Sequence, residues 1–269
     1  MSAGLAEVAA RAGMMVVIRG RSDDSNAKLM ATMTSSLARQ VAKQKISQDD
    51  MDAAISRVRT TTSLGQLGQC DIVIESIIED LDAKLALIAE LGNVMRPGAM
   101  VATNTSTLSV EALAQRSGRP DRTVGIHFFN PATTMPLVEV VRAASTSDES
   151  VAEAESFARR CGKEPVHVLD RPGFIVNALL FPYLNSAVKM LEAGTASMTD
   201  IDAAMKGGCN HPMGPFELLD LVGLDVAVSI LTALHAGVGD PLMEPAPTLR
   251  SLVAEGRLGR KTKQGFYSY

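Results

Sequence analysis

His127 and Glu139 are the residues whose types and spacing most directly suggest chemistry. They lie in the stretch Val124 to Val141, VGIHFFNPATTMPLVEVV. Val124 to Phe129 and Leu137 to Val141 are apolar, β-branched or aromatic enough to be strands, and Asn130-Pro131 and Met135-Pro136 punctuate the connection. Two antiparallel strands folded back about Thr133 place His127 opposite Glu139. An imidazole held by a carboxylate gains a fixed tautomer and is poised for proton exchange, as a general acid or base requires. A core histidine satisfied by a neighbouring acid meets the same pattern.

The elements that must position this pair alternate along the chain. Ser2 to Arg11 reads as a helix, and Met14 to Ile18 as a buried strand. A long helix follows from Asp24 to about Ile46, then a helix from Met51 to Val58 and a buried strand from Asp71 to Ile74. Leu81, Leu85, Ile88 and Leu91 recur at helical spacing, and Gly98 leads into a strand over Ala99 to Thr103. Strands that are apolar throughout, separated by helices, indicate a parallel sheet covered on both faces. The first domain is therefore α/β and Rossmann-like, with a doubly wound sheet.

Ligands of such sheets gather at the carboxyl ends of the strands. Asn104, Thr105 and Ser106 follow one strand, and Glu79 and Lys84 follow another. Helix capping is the competing role for the serine, threonine and asparagine. A helix over Val151 to Cys161 and a half-buried strand over Pro165 to Leu169 complete this region, and the turn Asp170-Arg171-Pro172-Gly173 marks a domain boundary. Residues 1–170 form the first domain and 171–269 the second. The second reads as all-helical. Phe174 to Leu191 is too apolar for a one-sided surface helix and is expected to be buried on several sides, against a second subunit. Thr199 with Asp202 marks the start of a short helix that stops at Gly207-Gly208, and Val222 to Ala236 forms another.

With 46% hydrophobic and 21% charged residues, the 269-residue chain can build one large core or two unequal ones. The net charge of −4 and the dispersed basic residues give no field for nucleic acid or an anionic membrane. Cys70, Cys161 and Cys209 are odd in number and far apart, which argues against a disulfide framework and a structural zinc site and fits a reducing cytoplasm. No apolar run reaches membrane-spanning length, and the first residues lack the pattern of a signal peptide.

Six segments in order, NTST at Asn104 to Thr107, HFFNP at His127 to Pro131, LVEVV at Leu137 to Val141, PGFIVN at Pro172 to Asn177, HPMGPFELLDLVGLD at His211 to Asp225 and KTKQGFY at Lys261 to Tyr267, resemble the L-3-hydroxyacyl-CoA dehydrogenase family. The resemblance implies reversible, NAD-dependent oxidation of the 3-hydroxyl of an acyl-CoA by a homodimer built through its helical domain. It implies that His127 takes the hydroxyl proton while Glu139 orients it, and that Ser106 and Asn177 hold the reacting oxygen. Glu79, Lys84, Asn104, Ser106 and Asn130 match cofactor-contacting positions, and Lys261 matches a basic residue reaching toward the cofactor. Ser36, with Ser106, matches a CoA-contacting position. Lys43 and Lys45 could offer charge to a CoA phosphate, or simply form a solvated helix face.

Two departures from the family pattern shape the expectations. The family opens with a strand and a G-x-G-x-x-G turn, of which Met1, Ser2 and Gly4 match only the tail, so the sheet is expected to lack that strand and Met1 to be internal to a longer chain. Secondly, Gly20, between Arg19 and Arg21, stands where the family places an acid for the adenosine ribose. NAD remains the expected cofactor, with NADP the alternative because arginines can receive a 2′-phosphate. Two other readings stay open on the sequence: a non-catalytic homologue acting as a binding or oligomerisation partner, and a dehydrogenase of a free hydroxy acid or sugar acid.

Overall fold

The structure, a computed structural model, describes residues 1–269. It divides into two compact units, Met1–Asp170 and Arg171–Tyr269. The first contains, in order, α1 (Ser2–Arg11), β1 (Val16–Arg19), α2 (Asp23–Ala42), α3 (Gln48–Ser56), β2 (Val58–Thr61), a 3₁₀ turn at Leu64–Leu67, β3 (Ile72–Glu75), α4 (Leu81–Val94), β4 (Met100–Thr103), α5 (Val110–Arg116), β5 (Thr123–Phe128), β6 (Leu137–Arg142), α6 (Asp148–Arg160) and β7 (Glu164–Leu169). The helices begin where short polar side chains take up unpaired backbone N–H groups: Ser22, Ser47, Asp80, Ser109 and Ser147 each accept from the backbone three residues on.

These strands form a five-stranded sheet, β3-β4-β5-β6-β7, and a separate pair, β1-β2. β3, β4 and β5 are parallel, β6 runs antiparallel to β5, and β7 is parallel to β6. Every residue of β4 and β5 is buried, which follows from layers on both faces. Met100, Ala102, Val124, Ile126 and Phe128 pack on α6 residues such as Ala154 and Phe157, whereas Val101 packs with Ile88, Leu91 and Leu113 of α4 and α5. The sheet is thus Rossmann-like and doubly wound, and it is interrupted between β1 and β3.

Local readings differ from the structure at several places, among them a helix expected from Val222 that begins at Leu224. The long helix ends at Ala42, because Gln44 turns into a left-handed conformation with φ 55°. The helix expected to reach Val58 stops at Ser56, because Val58 to Thr61 pairs with β1, a short and largely polar strand that periodicity does not reveal. In the second unit, the helix expected to start on Thr199 and Asp202 is capped by Ser197 with Asp200, and it passes through Gly207 and Gly208 to Cys209.

The second unit is all-helical: α7 (Val176–Glu192), α8 (Met198–Cys209), α9 (Pro215–Val222), α10 (Leu224–Val238) and α11 (Pro247–Ala254). Its core joins Phe181, Leu184 and Val188 of α7 to Phe216 and Leu219 of α9 and Leu231 and Leu234 of α10. Two buried carboxylates hold its peripheral segments. Asp202 accepts from the N–H of Phe216 and Glu217 and from Tyr267 Oη, and Asp220 accepts from the N–H of Phe266 and Tyr267 and from Tyr269 Oη. α7 is not covered all round, since Leu179 is 71% exposed.

Candidate active site

The antiparallel register of β5 and β6 sets His127 directly across from Glu139. The His127 Nδ1–H donates to Glu139 Oε2 at 2.7 Å, with the carboxylate fully buried and the histidine 6% exposed. The Phe129 ring packs on the imidazole at 4.6 Å between centroids. A buried carboxylate on Nδ1 fixes the tautomer and leaves Nε2 as the nitrogen suited to proton exchange.

A second group forms at the carboxyl ends of β3 and β4. Glu79 Oε1 accepts from Thr105 Oγ1 at 2.6 Å, from Ser106 N at 2.8 Å and from Thr107 N at 3.2 Å, so one carboxylate organises the whole loop. Burial raises the Glu79 pKa, but the hydrogen bonds from Thr105 and Ser106 and the charge of Lys84 outweigh it and hold the carboxyl below its ordinary value. Asn104, directly after β4, bonds to both neighbouring strands, its N–H donating to Glu75 O of β3 and its Oδ1 accepting from Phe128 N of β5 at 2.8 Å. Capping belongs instead to Ser109, which opens α5.

Lys84 does not project outward. It is 1% exposed, with Nζ 2.7 Å from Glu75 Oε1 and 3.3 Å from Glu79 Oε2. Sequence reasoning missed Glu75, which also accepts from Thr103 Oγ1 and Ile77 N. Its signal was present: an acid closing an apolar strand, nine residues before a lysine on the next helix. In the structure the Lys84 ammonium anchors both Glu75 and Glu79.

The remaining expected residues lie on other elements. Ser106 is half-buried in the Glu79 loop, and Asn130 is exposed beside Pro131. Gly4 lies in the first turn of α1, where an added Cβ would meet Ala132 at 3.4 Å, so a small residue suits the contact. Ser36 is half-buried in the middle of α2 and shares no hydrogen bond with the Glu79 group, and Lys43 and Lys45 are exposed. In the second unit, Asn177 is buried in the first turn of α7, and Lys261 pairs with Asp225. At Gly20 a side chain would overlap Asn26 Oδ1 and Ser25 Oγ, so no acid can stand there without displacing α2 side chains. The Arg19 guanidinium is held by the Thr62 carbonyl, whereas Arg21 is exposed.

A partly exposed, ionised carboxylate beside hydroxyl and amide groups suits the sugar hydroxyls and amide of a nicotinamide nucleotide, so Glu79, Asn104 and Ser106 fit that group. The profile of the 3-hydroxyacyl-CoA dehydrogenase NAD-binding domain matches residues 1–171, and that of the C-terminal domain matches residues 173–269. The chain belongs to the 3-hydroxyacyl-CoA dehydrogenase family. It is 42% identical to a 3-hydroxybutyryl-CoA dehydrogenase of Bradyrhizobium diazoefficiens, over the whole of this chain and 92% of that protein. It is 41% identical to human mitochondrial hydroxyacyl-coenzyme A dehydrogenase, over the whole of this chain and 88% of that protein. The crystal structure of (S)-3-hydroxybutyryl-CoA dehydrogenase from Ralstonia eutropha superposes with a TM-score of 0.96 at 40% identity, covering 100% of this chain and 95% of the other. As a 3-hydroxyacyl-CoA dehydrogenase, the protein is an oxidoreductase that acts on a CH–OH group with NAD as cofactor.

Proposed function

We propose that the chain interconverts a short-chain 3-hydroxyacyl-CoA and the 3-ketoacyl-CoA, with His127 as the base that takes the hydroxyl proton. The observation that carries this reading is the buried 2.7 Å bond between His127 Nδ1 and Glu139. Glu139 stabilises the imidazolium formed when Nε2 accepts the proton, and its fixed orientation keeps Nε2 in one place during the step. Bound NAD supplies the hydride acceptor. Glu79 accepts hydrogen bonds from the cofactor while Lys84 holds it ionised, and the Ser106 hydroxyl donates to the reacting oxygen as charge develops there. The roles of Asn177, Lys261, Asn130, Gly4 and Ser36 rest on the motif match alone.

The short acyl chain is supported by relatives named 3-hydroxybutyryl-CoA dehydrogenases. The exposed Leu179 and Met190 on α7 support a homodimer through that helix. Three unpaired cysteines support a reducing compartment such as the cytoplasm. The test is reduction of acetoacetyl-CoA by NADH, followed as loss of reduced-nicotinamide absorbance. Turnover that disappears in His127→Ala, with NADH binding retained, supports the reading. Turnover undiminished in that variant, or none in the unaltered protein with NADH bound, overturns it.

A further inference from the structure

Glu75 closes β3, and its side chain is fully buried. One oxygen, Oε1, accepts from Ile77 N at 2.6 Å and from Lys84 Nζ at 2.7 Å. The other, Oε2, accepts from Thr103 Oγ1 at 2.7 Å, and that threonine oxygen in turn accepts from Thr105 N at 3.3 Å. Taking two charges out of water is costly, and an apolar pair of similar size fills such a space as well or better. Packing alone therefore does not account for a glutamate and a lysine here. The three bonds share a direction. Ile77 begins the segment that carries Glu79, Lys84 reaches Glu79 itself, and Thr103 reaches the loop that carries Ser106.

Lys84 Nζ lies between two carboxylates, 2.7 Å from Glu75 Oε1 and 3.3 Å from Glu79 Oε2. The Lys84 side chain is 1% exposed and that of Glu79 is 35% exposed, so of the three charges only Glu79 is open to a ligand. The two oxygens of Glu79 are used unequally. Oε1 accepts from Thr105, Ser106 and Thr107, while Oε2 has only the longer contact with Lys84. The shorter bond to Glu75 holds the ammonium back from Oε2. Without the Glu75 charge, the ammonium has one carboxylate left to neutralise, so it closes on Oε2 and occupies that oxygen.

We propose that Glu75 is a positioning residue for the nicotinamide nucleotide: by holding Lys84, it keeps Glu79 Oε2 available to accept from a sugar hydroxyl of the cofactor. The inference rests on the reading of Glu79 as a cofactor-binding residue, and it adds the group that sets how well Glu79 accepts. Glu75 touches no ligand. Its effect passes through Lys84 and Glu79 and is read in the affinity for NADH.

The test is a double-mutant cycle on the Kd of NADH, followed by the fluorescence of the bound nicotinamide in the full chain. Glu75→Gln keeps the size of the side chain and an oxygen for Ile77 and Lys84, but removes the charge. It should raise Kd about tenfold, as loss of one charge-assisted hydrogen bond does, and Glu79→Gln should do about the same. The double variant should bind no more weakly than Glu79→Gln alone, because Glu75 acts only through Glu79. Losses that multiply overturn the proposal, since a merely structural glutamate weakens binding whatever stands at position 79. An unchanged Kd in Glu75→Gln beside a weakened Glu79→Gln also overturns it, and leaves the role of Glu79 standing. An unchanged Kd in Glu79→Gln, or no saturable NADH binding by the unaltered protein, removes that role and the proposal with it. Should Glu75→Gln fail to fold, Glu75→Leu combined with Lys84→Met supplies an apolar pair that a buried site tolerates. That variant should bind NADH about tenfold more weakly at a Tm near that of the unaltered protein, and unchanged affinity overturns the proposal.

Discussion

Glu75 and Lys84 form an ion pair at 2.7 Å in which neither side chain is more than 1% exposed. The pair ties the end of β3 to the first turns of α4, and through Glu79 it reaches the loop at residues 105–107. Removing one partner leaves a buried charge with poor compensation. Glu75→Leu should lower stability by about 3–5 kcal/mol in urea unfolding, and adding Lys84→Met in the same chain should recover most of that loss. An additive double mutant would show that the two groups are not coupled.

Glu139→Gln keeps the shape of the buried site and removes the charge facing His127. We expect kcat to fall by about 10²–10⁴-fold. KM for NADH should change little, because Glu139 faces the imidazole. A loss confined to KM would contradict the role assigned to the pair.

Because the folded-state pKa of Glu79 lies below its ordinary value of 4.5, the ionised carboxylate stabilises the folded state. That contribution is fully present above the unfolded-state pKa and is lost as pH falls through the lower folded-state value. Thermal unfolding of Glu79→Gln should therefore show a shallower loss of Tm below about pH 4.5 than the unaltered protein. Parallel acid limbs would remove Glu79 from this linkage.

Gly20→Asp restores the acid at the end of β1 but drives its Cβ into Asn26 Oδ1 and Ser25 Oγ. The variant should be destabilised by about 1–3 kcal/mol, as overpacked sites are. The unaltered chain should bind NADH more tightly than NADPH, since Arg19 is already committed to Thr62 O. Calorimetric Kd values compare the two directly, and tighter NADPH binding would assign the 2′-phosphate to Arg21.

Burial pushes the Cys161 thiol up to about 11, so at pH 8 it is almost wholly protonated. Cys209 is exposed on the last turn of α8. Iodoacetamide labelling read by mass spectrometry should modify Cys209 first and Cys161 at least about tenfold more slowly. Equal rates would mean that the α6 end opens readily.

How much of this was legible in the sequence depended on the range of the interaction. His127 and Glu139 were readable because both sit on short strands around one turn, where alternation fixes which residues oppose. α4 was readable because Leu81, Leu85, Ile88 and Leu91 recur at helical spacing, whereas α5, capped by Ser109, was not read. β2 was not, since Val58-Arg59-Thr60-Thr61 becomes a strand only by pairing with β1, far away in sequence. Asp202 was misread as a cap residue because its partners, Phe216 N and Tyr267 Oη, arrive from distant segments. The burial of Lys84 depended likewise on Glu75, which the helical periodicity around it does not contain.

The reversal of direction between β5 and β6 has a kinetic meaning. Most strands of the first unit must wait for a helix to cross before they find their neighbours, whereas these two meet by closing a short loop. The His127–Glu139 pair is therefore assembled by one of the most local pairings in the unit. A slip of one residue in that closure would send His127 and Glu139 to opposite faces, so the proposed proton exchange depends on the register of this one local pairing.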